Sequence, residues 1–136
     1  MADNAGAYRH VVLFKFKPSA SNETVVAIEN AFRALCAELP FVRGFEWGRN
    51  SSPEGLDQGF THCFIVSFDG PEGRDAYLPH PAHRAFIRQH LDPSLEKVCV
   101  VDLPNEPQSE VTLAQARAGI IGFLASPAGS PERKPR

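Results

Sequence analysis

The sequence lacks most of the features that mark specialised classes of protein. Its 136 residues include one tryptophan, one methionine and three cysteines. The 14 basic and 16 acidic residues are mixed along the chain, so no basic stripe predicts nucleic-acid binding and no acidic run predicts a solvating tail. No apolar run approaches the length that a bilayer requires. What remains is an ordinary 43% of hydrophobic residues, which predicts a single domain with a modest core.

Disulfides, zinc knuckles and nucleotide-binding loops are also missing. Cys36, Cys63 and Cys99 are an odd number without C-x-x-C spacing, and each lies in an apolar context, so we expect reduced core residues. The glycines are dispersed and form no phosphate-binding loop, so we expect no cofactor. Residues 1–8 have neither the basic start nor the apolar stretch of a secretory signal. We therefore expect a flexible N-terminus over residues 1–8 and a cytoplasmic protein that binds neither nucleic acid nor membrane.

Alternating and helical patterns divide the chain into strands and helices. Residues 10–17 alternate, with His10, Val12 and Phe14 on one face, and Pro18 ends the strand. Apolar residues then recur at three- and four-residue spacing up to Leu39, which predicts an amphipathic helix. Further strands are predicted over residues 42–49, 60–68 and 96–103, a short helix around Tyr77, and a helix from Pro81 to about Leu91.

This order of elements, β-α-β-β-α-β, predicts an α+β, ferredoxin-like antiparallel sheet with its helices on one face. Apolar residues occur on both faces of the strands, so one face of the sheet is left uncovered. A second copy of the chain would cover it, which predicts a two-fold symmetric homodimer. Beyond the domain at 9–104, we expect a linker and a C-terminal helix over residues 105–126 and a disordered tail over 127–136.

The most informative stretch is the run from Tyr77 to His83, which places a phenol and two imidazoles around two prolines. Imidazole is the side chain that most readily exchanges protons near neutral pH. His62 and His10 each open the apolar face of a strand, so their side chains can point toward the helices that carry the run. The pattern predicts a pocket between sheet and helices with apolar walls and a few convergent polar groups, which is typical of small-molecule sites.

Four segments in this order resemble the stress-responsive dimeric α/β-barrel family. They are residues 10–17 (HVVLFKFK), 45–48 (FEWG), 59–62 (GFTH) and 80–83 (HPAH), and Asp102 at the end of the last strand fits as well. The resemblance covers roughly residues 9–104. It implies a dimeric α/β barrel. Its members range from plant stress proteins to a polyketide cyclase, so it implies no single activity.

The cyclase member implies roles for particular residues. By this resemblance, His83 would be the general base that removes an acidic α-proton, and Tyr77 would hydrogen-bond the carbonyl that becomes an oxyanion. Phe32 stands where the cyclase has a second pocket tyrosine, which makes the wall more apolar. The expected substrate-binding residues are His10, His62, Val12, Phe14, Ile28, Phe32, Phe64, Phe86, Val98 and Val100.

Other interpretations stay open at this stage. The first alternative is a non-catalytic, stress-responsive dimer that is structural or binds a ligand, and the second is a cofactor-free monooxygenase of the related barrel type. His80 flanks a proline turn, where an imidazole often only satisfies backbone groups at a helix end. Some relatives hold a magnesium ion through backbone carbonyls, and the matching positions are Cys36, Leu39 and Val42. Carbonyl ligation leaves no mark in a sequence.

Overall fold

The computed structural model describes residues 8–105 and 113–124 of the chain. The expected flexible N-terminus lies outside the described residues up to residue 7, as do most of the linker and the whole of the expected tail over 127–136. Residues 8–105 form one unit, and the C-terminal helix belongs to another. No helix among the described residues is long and apolar enough to cross a membrane.

The order of elements is the predicted one, with the second helical segment broken into pieces. The elements are β1 (Tyr8–Phe16), α1 (Asn22–Glu38), β2 (Gly44–Arg49), β3 (His62–Phe68), α2 (Pro71–Tyr77), α3 (Pro81–Phe86), a π-helical turn (Ile87–Leu91), β4 (Leu95–Pro104) and α4 (Leu113–Leu124). The α+β, ferredoxin-like fold is therefore confirmed. The single helix expected up to Leu91 is wrong in detail, because the chain widens into the π-helical turn after Phe86.

Four antiparallel strands form one sheet in the order β2-β3-β1-β4. Burial alternates along β1 and β3, because successive side chains of a strand point to opposite faces of the sheet. His10 is paired with Asp102 of β4, and Val12 with Val100, so these side chains share the face that the helices cover. Tyr8, expected in the flexible N-terminus, is instead the buried first residue of β1.

Local signals explain where the helices begin. Ser21 caps α1 by accepting a hydrogen bond from the backbone N–H of Thr24 at 3.1 Å. His80 does the same for α3, since its Nδ1 accepts from the backbone N–H of Ala82 at 3.0 Å. The structural role expected for His80 is thereby confirmed. Prolines 71 and 81 occupy the first turns of α2 and α3, where their missing N–H is not needed.

The core lies between the helices and the covered face of the sheet, and aromatic rings dominate it. Phe32 of α1 is its centre, since its ring centroid lies 4.7 Å from that of Phe64 on β3 and 4.9 Å from that of Phe86 on α3. Phe14 packs on Phe64 with centroids 5.0 Å apart. Such ring contacts add to the free energy gained from burial alone. They hold α1 and α3 at fixed positions over the sheet.

Candidate functional site

A cavity of about 430 Å³ lies between the sheet and the helical segments after β3. Its floor is the covered face of β1 and β4, and its other walls come from α1, the end of α2, α3 and the π-helical turn. The cavity opens along β4, an edge strand, because the lining residues Val98 and Val100 are 50% and 52% exposed. The described fold thus provides a mostly apolar, partly open pocket of the size of a small ligand.

Tyr77 and His83 both line this cavity, and their rings are in contact with each other. Their ring centroids are 4.3 Å apart. Tyr77 ends α2 and His83 lies in the first turns of α3, so the proline-containing turn between the two helices sets their separation. The prolines restrict the backbone of that turn, which fixes one ring relative to the other.

The Tyr77 hydroxyl has no hydrogen-bond partner within the described residues, although the side chain is only 1% exposed. The same residues contain no fully buried side-chain N or O atom without a partner, so this oxygen still reaches the cavity. Burial raises the pKa of Tyr77 far above the ordinary value of a phenol, and the nearby Cys36 adds to the effect. The hydroxyl therefore keeps its proton near neutral pH and can donate a hydrogen bond to a ligand.

The hydrogen bond of His83 fixes which of its nitrogens is free. Nδ1 lies 2.9 Å from the carbonyl oxygen of Leu78, which can only accept, so Nδ1 carries the hydrogen. Burial lowers the pKa of His83, and the hydrogen bond to Leu78 opposes this only in part. The ring is therefore neutral near pH 7, and its Nε2 has a lone pair that can accept a proton.

A second histidine of the cavity belongs to a chain of hydrogen bonds. Nδ1 of the buried His10 lies 2.7 Å from Oδ1 of Asp102, whose Oδ2 accepts a hydrogen bond of 2.6 Å from Arg74. The same Arg74 nitrogen donates to the hydroxyl of Tyr8 at 2.7 Å. Arg74 also pairs with the adjacent Asp75 at 2.7 Å. The sequence singled out His10 and Asp102 but not Tyr8 or Arg74, because the bonds of Arg74 to Tyr8 and Asp102 join residues more than twenty positions apart.

His62 lies elsewhere, and the expectation that it lines the cavity with Tyr77 and His83 needs correction. Its Nε2 is 2.7 Å from Oε2 of the buried Glu29, which also accepts from Arg49 at 2.7 Å. Its Nδ1 is 2.8 Å from the hydroxyl of Thr61. The strand alternation was read correctly, since His62 is on the covered face. The sequence missed Glu29, whose carboxylate draws the ring toward α1.

The other expected wall residues divide into two groups. Ile28 and Phe64 do not line the cavity, because they are fully buried in the core beneath it. Ile28 belongs to α1 and points into the core, and Phe64 of β3 is covered by Phe32 of α1, with ring centroids 4.7 Å apart. The expected residues that do line it are Val12, Phe14, Phe32, Phe86, Val98 and Val100.

The carbonyl positions implied for magnesium lie at the end of α1. The carbonyl of Cys36 accepts a hydrogen bond from the N–H of Leu39 at 3.3 Å, and that of Leu39 accepts from Val42 at 3.0 Å. Each oxygen keeps a second lone pair. The described residues contain no group of three or more His, Cys, Asp or Glu side chains placed to hold a metal ion. The magnesium site at these carbonyls stays a prediction.

Several known proteins are similar to this chain. The stress-response A/B barrel domain-containing protein HS1 of Arabidopsis thaliana is 35% identical over 102 residues, which are 75% of this chain and 93% of HS1. Olivetolic acid cyclase of Cannabis sativa is 26% identical over 80 residues, 59% of this chain and 79% of the cyclase. A crystal structure from Thermobifida fusca, described as a dimeric ferredoxin-like protein of unknown function, superposes with a TM-score of 0.60. It is 26% identical, and the match covers 71% of this chain and 89% of that one.

The family model for the stress responsive A/B barrel domain matches residues 8–105, which is the range from the start of β1 to the residue after β4. The match therefore includes every element that forms the cavity. It agrees with the sequence resemblance and with the fold of the solved relative. The chain belongs to the stress responsive A/B barrel domain (Dabb) family.

Proposed function

We propose that this protein catalyses acid–base chemistry on a small, largely apolar carbonyl compound, of the aldol or cyclase-like type. The observation that carries the proposal is the pairing of Tyr77 with His83 in the cavity. The phenol has a free donor, the imidazole has a free acceptor, and their rings are 4.3 Å apart. An enolisation needs such a pair, namely a base for the α-proton and a hydrogen-bond donor for the oxygen that gains charge.

The proposed reaction proceeds in three steps that balance protons. Nε2 of His83 takes a proton from the carbon next to a carbonyl, and the electrons of that C–H bond form an enolate whose oxygen Tyr77 hydrogen-bonds. The enolate carbon then attacks a second carbonyl carbon of the same molecule, which forms a C–C bond. The resulting alkoxide takes the proton back from His83. The neutral form of His83 is the competent one, and its lowered pKa keeps that form available near neutral pH.

The walls of the cavity limit the substrate. Phe14, Phe32 and Phe86 supply aromatic surface, while the valines of β1 and β4 supply aliphatic surface. A substrate with an apolar chain would gain free energy from each methylene that it buries there. The relative named olivetolic acid cyclase supports chemistry on a polyketide-like compound. Phe32 offers no hydroxyl, so orientation of the polar end would depend on Tyr77 and the two cavity histidines.

Hydrogen–deuterium exchange tests the first step without knowledge of the natural substrate. An alkyl β-keto ester is incubated with the protein in D₂O, and loss of the α-proton signal is followed by NMR. We expect exchange above the buffer rate, reduced by roughly a hundredfold or more in His83→Ala, because general-base catalysis contributes about that factor. Tyr77→Phe should also slow exchange, since it removes the donor.

His90→Ala is the matched control, because this histidine is on the π-helical turn but does not line the cavity. It should exchange at the wild-type rate. If the wild type exchanges no faster than buffer while the same ester raises its melting temperature saturably, the acid–base proposal is wrong. The second candidate, a ligand-binding dimer without turnover, would then hold. The name of the relative HS1, a stress-response protein, favours that candidate.

We also propose that two copies associate through the face of the sheet that no helix within residues 8–105 covers. Val101 and Leu103 on this face are 48% and 47% exposed. A second cavity, of about 690 Å³, includes Leu13, Cys63 and Cys99 of the same face. Relatives solved at atomic detail are described as dimeric. Apolar surface of this kind is typical of interfaces between copies of a chain.

The cytoplasmic location stays a prediction, to be checked by cell fractionation.

A further inference from the structure

Arg74 connects the helix that carries Tyr77 to two strands of the sheet. It lies on α2, three residues before Tyr77, so both side chains are on the same side of that helix. Its Nη1 donates to Oδ2 of Asp102 on β4 at 2.6 Å and to the hydroxyl of Tyr8 on β1 at 2.7 Å. Its guanidinium carbon is 5.1 Å from the centre of the Tyr8 ring. Charge-assisted bonds of this kind are among the stronger hydrogen bonds in proteins.

The helix α2 has few local features that stabilise it. It has seven residues, and Gly70 at its N-cap makes no side-chain hydrogen bond. Isolated helices of this length are unstable in water, so tertiary contacts must fix its position. Contacts that reach the sheet include the buried ring of Tyr77, the backbone at Gly73 against Phe68, and the hydrogen bonds from Arg74 to Asp102 and Tyr8.

Asp102 in turn has one partner for each of its oxygens. Oδ1 accepts from Nδ1 of His10, and Oδ2 accepts from Arg74. A carboxylate has no hydrogen to donate, so the hydrogen between His10 and Asp102 is on Nδ1 of the ring. In the neutral ring Nε2 is then an acceptor. The ring of His10 packs edge-on against Tyr77, with centroids 5.7 Å apart, and lines the cavity.

We propose that Arg74 is a positioning residue, which through Asp102 holds His10 in the tautomer that presents Nε2 to the cavity as an acceptor beside Tyr77. The proposal rests on the proposed function for its catalytic meaning, but not for its geometry. Tyr77 would then stand between two acceptors, His83 on one side and His10 on the other. Without Arg74, the Asp102 side chain, which is 23% exposed, would be free to turn toward water.

The test is the tautomer of His10, read from the ¹⁵N chemical shifts of its ring at a pH well above the ordinary titration range of histidine. In the wild type we expect Nδ1 protonated and Nε2 unprotonated. In Arg74→Met the two shifts should move toward each other as both tautomers become populated. Arg74→Lys should restore most of the difference, because an ammonium can still pair with Asp102. His83 is an internal reference, since the Leu78 carbonyl holds its tautomer.

Arg43→Met is the matched control. Arg43 also pairs with an aspartate, Asp69, at 3.0 Å, but on the exposed surface away from the cavity. It should leave the His10 shifts unchanged. If Arg74→Met fails to fold, Asp102→Asn serves instead, because it removes the charge that pairs with Arg74. Unchanged His10 shifts in a folded Arg74→Met or Asp102→Asn protein would overturn the proposal.

Exchange of the β-keto ester separates this proposal from the proposed function. Arg74→Met should slow exchange by up to about a hundredfold, because a small misplacement of catalytic groups has that effect. Altered His10 shifts in Arg74→Met, together with no exchange above buffer in the wild type, would retain the positioning role and reject the acid–base function. Altered His10 shifts with an unchanged exchange rate would show that Arg74 sets the tautomer of His10 without affecting the reaction. That result would overturn the role of Arg74 as a positioning residue.

Discussion

The histidines of this protein show how the partner of an imidazole nitrogen decides its role. His80 accepts a hydrogen bond from a helix N-terminus, so it is a cap. His62 is held between Thr61 and Glu29 and stacks on Trp47 with ring planes 5° apart. His83 donates to a backbone carbonyl and leaves its other nitrogen facing the cavity. An imidazole with a free nitrogen in a pocket can act on a ligand, and His83 and His10 both line the cavity with one nitrogen held by another partner.

The lowered pKa of His83 predicts how activity and stability depend on pH. Activity needs the neutral ring, so the proposed exchange should persist below pH 6.5, the ordinary value for histidine, and fall as pH drops through the lowered pKa. The folded state binds this proton less readily than the unfolded state. The contribution to stability is therefore complete above pH 6.5 and is lost as pH falls below it.

A pH series of exchange rates and melting temperatures for the wild type and His83→Gln would check both statements. Carboxyl groups also titrate at acid pH, so the difference between the two proteins is the quantity to compare. If His83→Gln loses stability with falling pH as steeply as the wild type does, His83 is not the group responsible.

The buried carboxylate of Glu29 predicts a stability effect that has no connection with the cavity. Glu29→Ala should destabilise the fold by about 1–3 kcal/mol, because it leaves the 4% exposed side chain of His62 without its partner. Arg49 is 49% exposed and can turn toward water, so Arg49→Ala should have a smaller effect. Urea unfolding measures both, with the exposed Glu38→Ala as control. Unchanged exchange rates in a folded Glu29→Ala protein would be consistent with the place of His62 outside the cavity.

At the scale of elements, the fit of α2 against β3 decides where Tyr77 lies. A Cβ atom added to Gly73 would be 2.8 Å from the Cβ and Cδ1 atoms of Phe68 on β3. Glycine at this position therefore allows the helix backbone to approach the strand. Phe68 also contacts Tyr77, with ring centroids 5.5 Å apart, so a shift of α2 would move the phenol that we place in the reaction.

Gly73→Ala should therefore destabilise the protein by about 1–3 kcal/mol through overpacking, and it should slow exchange as well. Gly119→Ala is the matched control, since Gly119 lies on α4, outside the sheet, and a Cβ there would meet nothing within 4 Å. Thermal unfolding and the exchange assay check the pair. Equal stability of the two variants would contradict the close approach of α2 to β3.

At the scale of the whole molecule, the uncovered face of the sheet is the feature that a second copy would bury. Val101→Lys should weaken dimerisation at least tenfold, because an unpaired ammonium in an interface loses several kcal/mol of hydration free energy. Val26→Lys is the control, since Val26 is 41% exposed on α1 and is not part of the sheet. Sedimentation velocity over a range of concentrations measures both. A dimer of unchanged affinity in Val101→Lys would place the interface elsewhere.

The sequence by itself determined the elements and the faces of the sheet. Alternation at 10–17 and three- and four-residue spacing before Leu39 are local patterns. Within one strand or helix, the backbone geometry sets the face on which each side chain lies relative to its neighbours. The pairing of Tyr77 with His83 could also be expected from the sequence, since the run from Tyr77 to His83 has seven residues and includes two prolines.

Only the tertiary structure decided which histidine lines the cavity and what surrounds it. His10 and His62 lie on the same face of adjacent antiparallel strands, and no local pattern distinguishes them. Glu29 of α1 pairs with His62, 33 positions away along the chain. Asp102 pairs with His10, 92 positions away, and Arg74 donates to Asp102 from 28 positions away. The widening of the chain after Phe86 also escaped the pattern. Contacts between residues distant in sequence depend on how whole elements pack together. The spacing of residues within a single strand or helix does not determine that packing.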